Sequence, residues 1–375
     1  MKQTDRAWAE ISLHHLAHNY HTIRNMLAAD CKMLASVKAN AYGHGCVRVA
    51  QALELLGVDY LATACLDEAL TLRQGGITIP ILIFGHTPAE YATVLIEQNI
   101  TQAVFSPEYA TELSAALSGC EQKLTVHMEL ETGLGRLGFS AINNDLTDAE
   151  KALSLPHLNF EGIYTHFSVA DTDADYTNLQ ATRFTHAVAH LEKVSGQEFQ
   201  IKHLSGSAGM LRNESLHANM VRPGLALYGL SPNPDALAAD LIPVMSLKAR
   251  IMQVRECMED SFVSYGNTYQ AKKGDKLAVL HLGYADGIPR NLSGNMEILI
   301  HGQKVPQVGR ICMDMIIIDV THVPAAKTGD IVTIFGEDGS EHICISELAT
   351  KTGTIPYEIL CGIAARVPRV YTKER

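Results

Sequence analysis

Eight short apolar runs rich in β-branched residues recur between residues 32 and 224, and helix-like stretches separate them. Two of these stretches, VRVAQALELLG and DEALTLRQGG, end at glycine, a common helix stop. Such alternation indicates parallel βα units, and eight of them in one chain favour a (β/α)8 barrel over a doubly wound open sheet. The runs are KMLASVK (32–38), DYLATAC (59–65), IPILIFG (79–85), TQAVFS (101–106), LTVHMEL (124–130), FEGIYTHF (160–167), FQIKHLS (199–205) and NMVRPG (219–224).

A different pattern begins near Pro243. Strand-like runs such as LKARIMQVREC and DIVTIFG follow one another closely there, with turn pairs between them and little helical periodicity. This spacing is typical of a mostly β domain. We therefore predict an α/β chain with a barrel at 12–235 and a β domain at 236–375, joined by the proline-containing stretch 231–240. Whether residues 1–11 join the β domain is left open.

Composition excludes several classes of protein. The 375 residues are 47% hydrophobic and 19% charged, which suits a sizeable core, and no apolar run approaches the ~18 residues that span a membrane. The first residues, MKQTDRAWAE, lack the apolar stretch of a signal peptide, and the net charge of −11 argues against a nucleic-acid partner. Eight scattered cysteines without a CxxC pair predict reduced thiols and no metal site. A cytoplasmic protein is expected.

Polar residues follow several of the predicted strands. In a (β/α)8 barrel the chemistry lies at the carboxyl ends of the strands, so these side chains are expected to converge on one mouth. They are Lys38, Glu129, Arg136, His166, the SGSAG loop at 205–209 and Arg222.

Lys38 and the loop at 205–209 together suggest a cofactor. A lysine at a strand end in apolar surroundings is desolvated, which lowers its pKa and makes the neutral amine available as a nucleophile. The small-residue loop leads towards a helix, so its backbone N–H groups are suited to bind a phosphate. An amine facing a phosphate loop indicates pyridoxal 5'-phosphate.

One motif points elsewhere. Residues 133–138, GLGRLG, match the GxGxxG pattern of dinucleotide-binding sites. Such a site needs a helix directly after the motif and an acidic residue about 20 positions further on. The chain continues instead through FSAINND and has Leu158 in the later position. A nicotinamide cofactor is not predicted.

Around Lys38 the sequence SVKANAYGHG resembles the alanine racemase family, and the resemblance extends over nearly the whole chain. The resemblance implies a barrel followed by a β domain, pyridoxal phosphate as cofactor and interconversion of L- and D-alanine. The other motifs that carry it are ETGLGRLGF (131–139), THFSVAD (165–171), HLSGSAG (203–209), VRPGLALYG (221–229), VSYGNTY (263–269), LGYADGIPR (282–290), VGRICMDM (308–315) and IPYEILCGIAARVPR (355–369).

The resemblance also assigns roles to individual residues. Lys38 is expected to hold the cofactor covalently, and Arg222, bonded to His166, is expected to donate to its pyridine nitrogen. The residues expected at the phosphate are Tyr42, Ser207, Tyr357 and the backbone around Gly224. At the substrate carboxylate, Arg136 and the Met313 backbone are expected, with Cys312 and Asp314 in the loop that presents Met313. Tyr265, oriented through neighbours that include Tyr284, is expected to be the second base.

These roles are chemically consistent. Racemisation removes a proton from one face of Cα and returns it to the other, so two bases on opposite faces suffice, here Lys38 and Tyr265. Tyrosine is a poor base at its usual pKa near 10, so its surroundings must favour the phenolate. Because Arg222 stays protonated, the pyridine nitrogen should not be, which limits carbanion lifetime and side reactions.

Two positions depart from the family pattern. Many relatives have a carbamylated lysine at the position of Glu129. We expect the Glu129 carboxylate to pair with Arg136 directly, without a carbamate. Relatives often have asparagine at the position of Gly206, so one contact near the phosphate is expected to be missing.

Other functions remain open at this stage. A serine or broad-specificity racemase is the nearest alternative, although Tyr357 would crowd a larger side chain. An amino-acid decarboxylase is disfavoured by Arg222, and a non-catalytic pyridoxal phosphate carrier would not need Tyr265. The resemblance implies a homodimer in which Tyr265 and Met313 of one chain complete the site of the other. Whether the D-alanine would serve peptidoglycan precursor synthesis or alanine would be degraded is also open.

Overall fold

The computed structural model describes residues 5–143, 145–231 and 240–372. The chain forms two compact units. One takes the described residues within 16–41 and 46–242, and the other those within 1–15, 42–45 and 243–375. The predicted linker at 231–240 lies outside the described residues, except for its first and last positions.

The first unit is a nearly closed parallel barrel of eight strands, which confirms the predicted fold class. Neighbouring strands pair in chain order, the last strand pairs with the first, and a parallel bridge between Gly206 and Arg222 links the two strand ends that remain. Each predicted run overlaps one strand. The strands are Lys32–Ser36, Tyr60–Thr63, Ile81–Ile83, Ile100–Val104, Leu124–Glu131, Leu158–Tyr164, Ile201–His203 and Met220–Val221.

Helices connect the strands, and local signals set their ends. Ser106 caps the helix Pro107–Ala116 by accepting a hydrogen bond from the Tyr109 N–H at 3.2 Å. The longest helix, Ala174–Ser195, ends at Gly196, which has a φ of 68° that glycine adopts without strain. The remaining α-helices up to residue 231 are Leu13–Asn25, Cys46–Leu56, Leu66–Gln74, Ala92–Glu97, Thr147–Leu153 and Ser207–Arg212.

The barrel unit buries both aliphatic side chains and two histidines. Aliphatic side chains such as Leu34, Leu82 and Met220 are fully buried there, and each such residue typically contributes about 1.5–3 kcal/mol through burial. His127 and His203 are also fully buried in this unit. A buried polar group must be hydrogen bonded, so these two histidines require partners within the barrel.

The second unit is mostly β, as predicted, and its sheet takes in the start of the chain. Strand Ala7–Ser12 pairs antiparallel with Met245–Glu256 and parallel with Arg369–Thr372. The other strands are Ser261–Phe262, Gln270–Ala271, Lys276–Leu280, Glu297–Ile300, Gln303–Pro306, Ile316–Asp319, Ile331–Asp338 and Glu341–Ile343, and the helices are Ile345–Thr352 and Pro356–Gly362.

Candidate active site

The selected residues of the barrel lie where its strands end. Lys38 comes two positions after the first strand, His166 two positions after the sixth and Arg222 directly after the eighth. Glu129 is the third-last residue of the fifth strand, and Ser207 is the first residue of the helix Ser207–Arg212. The carboxyl ends of the strands therefore present all of them on one side of the barrel.

An unusual backbone turn follows Lys38. Ala39, Asn40 and Ala41 have φ of 52–54° and ψ of 45–52°, which makes one turn of left-handed helix. Left-handed helix costs about 1–2 kcal/mol for each L-residue. Two side-chain acceptors offset part of this cost: Glu68 accepts from the Ala39 N–H at 2.7 Å, and the Asn40 side chain accepts from the Cys46 N–H at 2.9 Å. Backbone strain of this kind is concentrated at functional sites.

Arg222 is 5% exposed and surrounded by acceptors. Its Nη2 lies 2.7 Å from the Thr165 carbonyl and 2.9 Å from the Leu204 carbonyl. Nη1 lies 3.0 Å from His203 Nδ1, and Nη2 lies 3.1 Å from His166 Nδ1. Among the described residues, Nε has no acceptor. Burial lowers the pKa of Arg222 to about 10, so the guanidinium is charged at neutral pH.

His166 is held as a neutral acceptor. Arginine has no acceptor atom, so Arg222 must donate to Nδ1 of His166, and the ring proton lies on Nε2. Burial lowers the pKa of His166 to about 3, and the charges of Arg222, Arg136 and Lys38 act in the same direction. The ring therefore contributes no positive charge to the mouth of the barrel.

Glu129 is a buried carboxylate next to Arg136. Its Oε1 lies 3.8 Å from Arg136 Nη2, and its Oε2 accepts a hydrogen bond from the Tyr164 hydroxyl at 2.8 Å. Burial raises the pKa of Glu129, while the Tyr164 hydrogen bond and the Arg136 charge partly offset this effect. The Arg136 side chain is 57% exposed, which leaves its guanidinium accessible to an anion.

The loop that carries Arg136 is anchored by Glu131. This carboxylate accepts from the backbone N–H of Gly133, from that of Gly135 at 2.8 Å and from that of Arg136 at 3.1 Å. The GLGRLG motif leads into a short strand, Phe139–Ser140, and no helix opens there. The geometry is thus unlike a dinucleotide site, as the sequence predicted.

Ser207 lies beside the backbone of Gly224. Its Oγ accepts from the N–H groups of Gly224 at 3.0 Å and of Ala226 at 3.2 Å. Gly206, next to it, has ordinary backbone angles, and a Cβ there would meet His166 at 3.5 Å, an acceptable contact. The backbone therefore does not require glycine at position 206.

In the β unit, Tyr265 lies on a strained turn. The preceding Ser264 has a φ of 65°, and its hydroxyl donates to the Arg310 carbonyl at 2.6 Å and lies 3.4 Å from Cys312 Sγ. The Tyr265 side chain is 67% exposed. The turn is thus fixed by its backbone, while the phenol is left accessible.

The loop with Met313 is held by the turn at Tyr284. The Cys312 and Met313 carbonyls accept from the N–H groups of Tyr284 and Ala285, both at 3.0 Å. In the described part of the chain, the Met313 N–H meets no acceptor. The Met313 side chain is 54% exposed. This N–H is suited to bind a carboxylate.

Buried Asp286 secures the same loop. It accepts from Arg6 at 2.7 Å and from Arg366 at 2.8 Å, and Arg366 also donates to Asp314 at 2.7 Å. Burial by itself would raise the pKa of Asp286, but the hydrogen bonds from Arg6, Arg366 and the Gly283 N–H, together with the Arg6 charge, outweigh it, and the pKa is lowered. Asp314 is thereby tied to the body of the β unit.

Two further tyrosines selected from the sequence also lie together in the β unit. The ring centroids of Tyr42 and Tyr357 are 5.8 Å apart, with an angle of 44° between the planes. Tyr42 belongs to the short segment 42–45 that packs with this unit, and Arg369 donates to the Gly43 carbonyl at 2.8 Å. The segment is therefore anchored directly after Tyr42.

Two site residues were missed in the sequence. Tyr164 and His203 contact the selected residues, yet neither was selected. Tyr164 directly precedes the motif at 165–171, and His203 begins the motif at 203–209. Each is the last residue of a barrel strand, so position relative to the strand was the available signal.

The described residues hold neither a metal-binding cluster nor a membrane-spanning helix. Within residues 5–143, 145–231 and 240–372, no three His, Cys, Asp or Glu side chains group in a way that would hold a metal ion. In the part of the chain that the structure describes, no helix has both the length and the apolar character needed to cross a membrane.

Comparison with known proteins gives the same family over both units. Residues 11–232 match the model of the alanine racemase N-terminal domain, and residues 244–371 match that of the C-terminal domain. The chain belongs to the alanine racemase family. This result confirms the resemblance found in the sequence and the enzyme class, an amino-acid racemase.

Individual members of the family are similar over their whole length. An alanine racemase of Methanococcus maripaludis is 43% identical, with 97% of this chain and 98% of that protein aligned. An alanine racemase structure from Clostridium difficile 630 superposes with a TM-score of 0.94 at 38% identity, covering 99% of this chain and 97% of that one. A Bacillus anthracis alanine racemase with bound L-Ala-P has a TM-score of 0.91 at 35% identity, covering 98% and 95%.

Proposed function

We propose that this protein interconverts L-alanine and D-alanine with pyridoxal phosphate as cofactor. The observation that carries the proposal is Arg222, buried at the mouth of a barrel of this family with one N–H donor not yet used. A carboxylate in that position would accept a hydrogen bond from the pyridine nitrogen and keep it protonated, whereas an arginine donates to the unprotonated nitrogen. This distinction favours proton transfer over decarboxylation.

The residues present fit this cofactor. Arg222 Nε provides a donor for the ring nitrogen, and the neutral His166 packs beside it without adding charge. Ser207 and the Gly224 backbone supply a polar cradle for a phosphate, and we assign Tyr42 and Tyr357 to the same group. Lys38 holds the cofactor through its amine. Bound pyridoxal phosphate supplies the electron sink that makes the Cα proton of the substrate acidic.

The substrate is oriented by its carboxylate. Arg136 Nη2 lies 3.8 Å from Glu129 Oε1, and this contact restrains the guanidinium. Because the side chain is also half-exposed, it is available to bind an anion. The Met313 N–H, in a loop fixed by Tyr284 and Asp286, is assigned as the second donor. With the carboxylate held by two fixed donors and the amino group directed to the cofactor, only the proton and the methyl group of Cα remain to be distinguished.

Two bases then move one proton each. We assign Lys38 to one face of Cα and Tyr265 to the other, so that each base removes the proton from one enantiomer and the conjugate acid of the other returns it. Tyr265 is 67% exposed within a single chain, which leaves its phenol open to contact by a second copy of the chain.

We therefore infer a homodimer with shared sites, in which Tyr265 and Met313 of one copy complete the barrel mouth of the other. Their exposures of 67% and 54% support this arrangement, because exposed large side chains on fixed turns are typical of contact surfaces. Inactive Lys38→Ala and Tyr265→Ala chains, mixed under conditions that exchange subunits, are expected to recover up to about a quarter of the activity. Verified heterodimers without recovery would exclude sharing.

Isotope exchange tests the reaction itself. Purified protein with pyridoxal phosphate is incubated in heavy water with L-alanine, D-alanine or L-serine, and Cα deuterium and configuration are measured by NMR and chiral chromatography. Exchange with inversion of both alanines is expected, and Lys38→Ala provides the inactive control. Faster inversion of serine would change the assigned substrate, and release of carbon dioxide without inversion would indicate a decarboxylase.

A further inference from the structure

A continuous line of hydrogen bonds runs through the barrel interior from Arg222. Its Nη1 lies 3.0 Å from Nδ1 of His203, and Nε2 of His203 lies 2.9 Å from Nδ1 of His127. His127 Nε2 in turn lies 3.3 Å from Oε2 of Glu161. Both histidines are fully buried, whereas the Glu161 side chain is 23% exposed. A charged group at the mouth is thus joined to a partly solvated carboxylate.

Glu161 lies towards the amino ends of the strands. It accepts a hydrogen bond at 2.5 Å from the hydroxyl of Tyr60, the first residue of its strand, and Lys32, also the first of its strand, acts electrostatically on the carboxylate. Lys38 and Arg222 follow the carboxyl ends of their strands. The line of hydrogen bonds therefore connects the two ends of a parallel barrel.

The chemistry of the two ends fixes the direction of this line. Arg222 only donates, so His203 Nδ1 accepts and its proton lies on Nε2. His127 Nδ1 must then accept from His203, and His127 Nε2–H donates to Glu161. A carboxylate at that end accepts this proton without conflict. Both imidazoles are neutral and their dipoles point the same way.

The electrostatics agree with that assignment. Burial lowers the pKa of both His127 and His203, so neither ring is charged near neutral pH. The hydrogen bond from His127 lowers the pKa of Glu161, which keeps the carboxylate ionised. Burial, together with the Glu161 contact, raises the pKa of Tyr60, so its hydroxyl remains a donor. Each group in the line is in the protonation state that the geometry requires.

The barrel makes room for the line at one particular position. The pairing register shifts between Val126 and His127, so that Glu161 on the neighbouring strand has no partner across from it in this register. Opposite His127 stands Gly162, where a Cβ would lie 2.7 Å from the imidazole ring. The His203 ring also stacks on Tyr164, with centroids 4.8 Å apart. Both rings are therefore held in place by packing as well as by hydrogen bonds.

We propose that Glu161 is a positioning residue for Arg222, acting across the barrel through His127 and His203. The carboxylate makes His127 a stronger acceptor for His203, and His203 in turn a stronger acceptor for Arg222 Nη1, since chains of hydrogen bonds polarise one another. The guanidinium is thereby held in the orientation that leaves Nε pointing to its ligand. The effect on catalysis rests on the proposed function, whereas the donor-to-acceptor direction of these hydrogen bonds does not.

The first measurement uses the cofactor-free protein with 15N-labelled histidine. NMR of the ring nitrogens is expected to show His127 and His203 neutral, with the proton on Nε2, from pH 6 to pH 9. Signals are assigned with His127→Gln and His203→Gln. A proton on Nδ1 of either ring, or a charged ring in that range, would overturn the proposed direction.

The second measurement tests whether Glu161 acts at a distance. Glu161→Gln is expected to shift the His203 Nδ1 signal and, in the holoenzyme, the absorption band of the bound cofactor. It should lower kcat by about 10-fold with little change in KM, by analogy with the loss of about 10- to 100-fold when the carboxylate partner of a metal-bound histidine is removed. Glu150→Gln is the matched control, because Glu150 contacts the exposed His190 at 2.7 Å in the same unit.

Tyr60→Phe keeps Glu161 and provides a second variant if Glu161→Gln folds poorly. A carboxylate that no longer accepts from Tyr60 accepts more strongly from His127, so the His203 signal should move in the opposite direction. A His203 signal that is unmoved in both folded variants would overturn the coupling. Because the NMR signals come from cofactor-free protein, a failure of the proposed alanine reaction would leave them intact and be distinguished from a failure of this proposal.

Discussion

The hydroxyl of Tyr164 donates to Glu129 at 2.8 Å, while the ring of the same tyrosine lies beneath the guanidinium of Arg222, 5.4 Å from its carbon. One buried side chain therefore contacts the carboxylate that restrains Arg136 and the cation assigned to the cofactor. A cation over an aromatic face is favourable by about 2 kcal/mol when desolvated. Tyr164 thus connects the substrate and cofactor sides of the barrel mouth.

Glu129→Gln should weaken alanine binding and change the pH dependence of stability. Without the carboxylate, Arg136 is less restrained, and KM for alanine is expected to rise about 10-fold, or about 1.4 kcal/mol. The pKa of Glu129 is raised in the folded protein, so its contribution to stability is present below the unfolded pKa and is lost as pH rises through the folded value. Relative to wild type, the variant should therefore gain stability as pH rises above about 4, where a free glutamate ionises.

Thermal melts across that range, with kinetics in parallel, check this prediction. Glu112→Gln, an exposed substitution on the helix Pro107–Ala116, is the control and should follow wild type. An unchanged KM would contradict the assigned role of Glu129, and a stability difference that shrinks with rising pH would contradict the pKa direction.

Tyr164→Phe removes one hydrogen bond to a buried carboxylate and leaves the ring. Hydrogen bonds to charged groups contribute about 1.5–3 kcal/mol, so the free energy of unfolding should fall by that amount. Tyr176→Phe is a matched control, since the Tyr176 hydroxyl donates at 3.0 Å to the neutral Gly133 carbonyl, where about 0.5–1.5 kcal/mol is expected. Equal losses in urea unfolding would show that Glu129 carries no charge there.

Tyr265→Phe should affect the two enantiomers differently. A phenylalanine cannot accept a proton, so abstraction from one enantiomer, expected to be L-alanine, should slow by about 100- to 10,000-fold. Cα exchange from D-alanine, assigned to Lys38, should be retained to a greater extent. Deuterium incorporation into each enantiomer measures this, with exposed Tyr91→Phe as control. Equal slowing of both exchanges would remove Tyr265 from the role of base.

Ala39→Gly tests the left-handed turn after Lys38. Glycine relieves about 1–2 kcal/mol of backbone strain and loses about 0.5–1 kcal/mol in chain entropy, so stability should be unchanged or slightly higher. Ala181→Gly, in the right-handed helix Ala174–Ser195, should instead lose about 1 kcal/mol. A looser turn should lower kcat of the Ala39 variant. Similar destabilisation of both variants would mean that the turn carries no strain.

The barrel could be predicted because its strands can be recognised as short apolar runs in the sequence. Runs such as IPILIFG and LTVHMEL are short and apolar, and buried parallel strands have that composition. The strand ends followed from the same pattern, which is why Lys38 and Arg222 could be placed at one end of the barrel. The β unit was similarly accessible from its closely spaced strands and turn pairs.

The interior of the site was much less predictable. His127 lies within the strand Leu124–Glu131 with apolar neighbours on both sides, and only a register shift and Gly162 bring its ring to His203. Sequence periodicity places a side chain on a face of the sheet, but it does not tell which strand residues meet inside the barrel. The left-handed turn was also hidden, because alanine carries no signal for a positive φ.

The strand Ala7–Ser12 has a consequence for synthesis of the protein. Its two partners, Met245–Glu256 and Arg369–Thr372, lie more than 200 residues further along the chain. At the usual rate of translation, about 5–20 residues per second, the strand waits about 10 to 50 seconds for its first partner. All eight barrel strands are made within that interval. The first part of the sheet to leave the ribosome therefore stays unpaired while the whole barrel is made, and its exposed edges must be tolerated or protected until then.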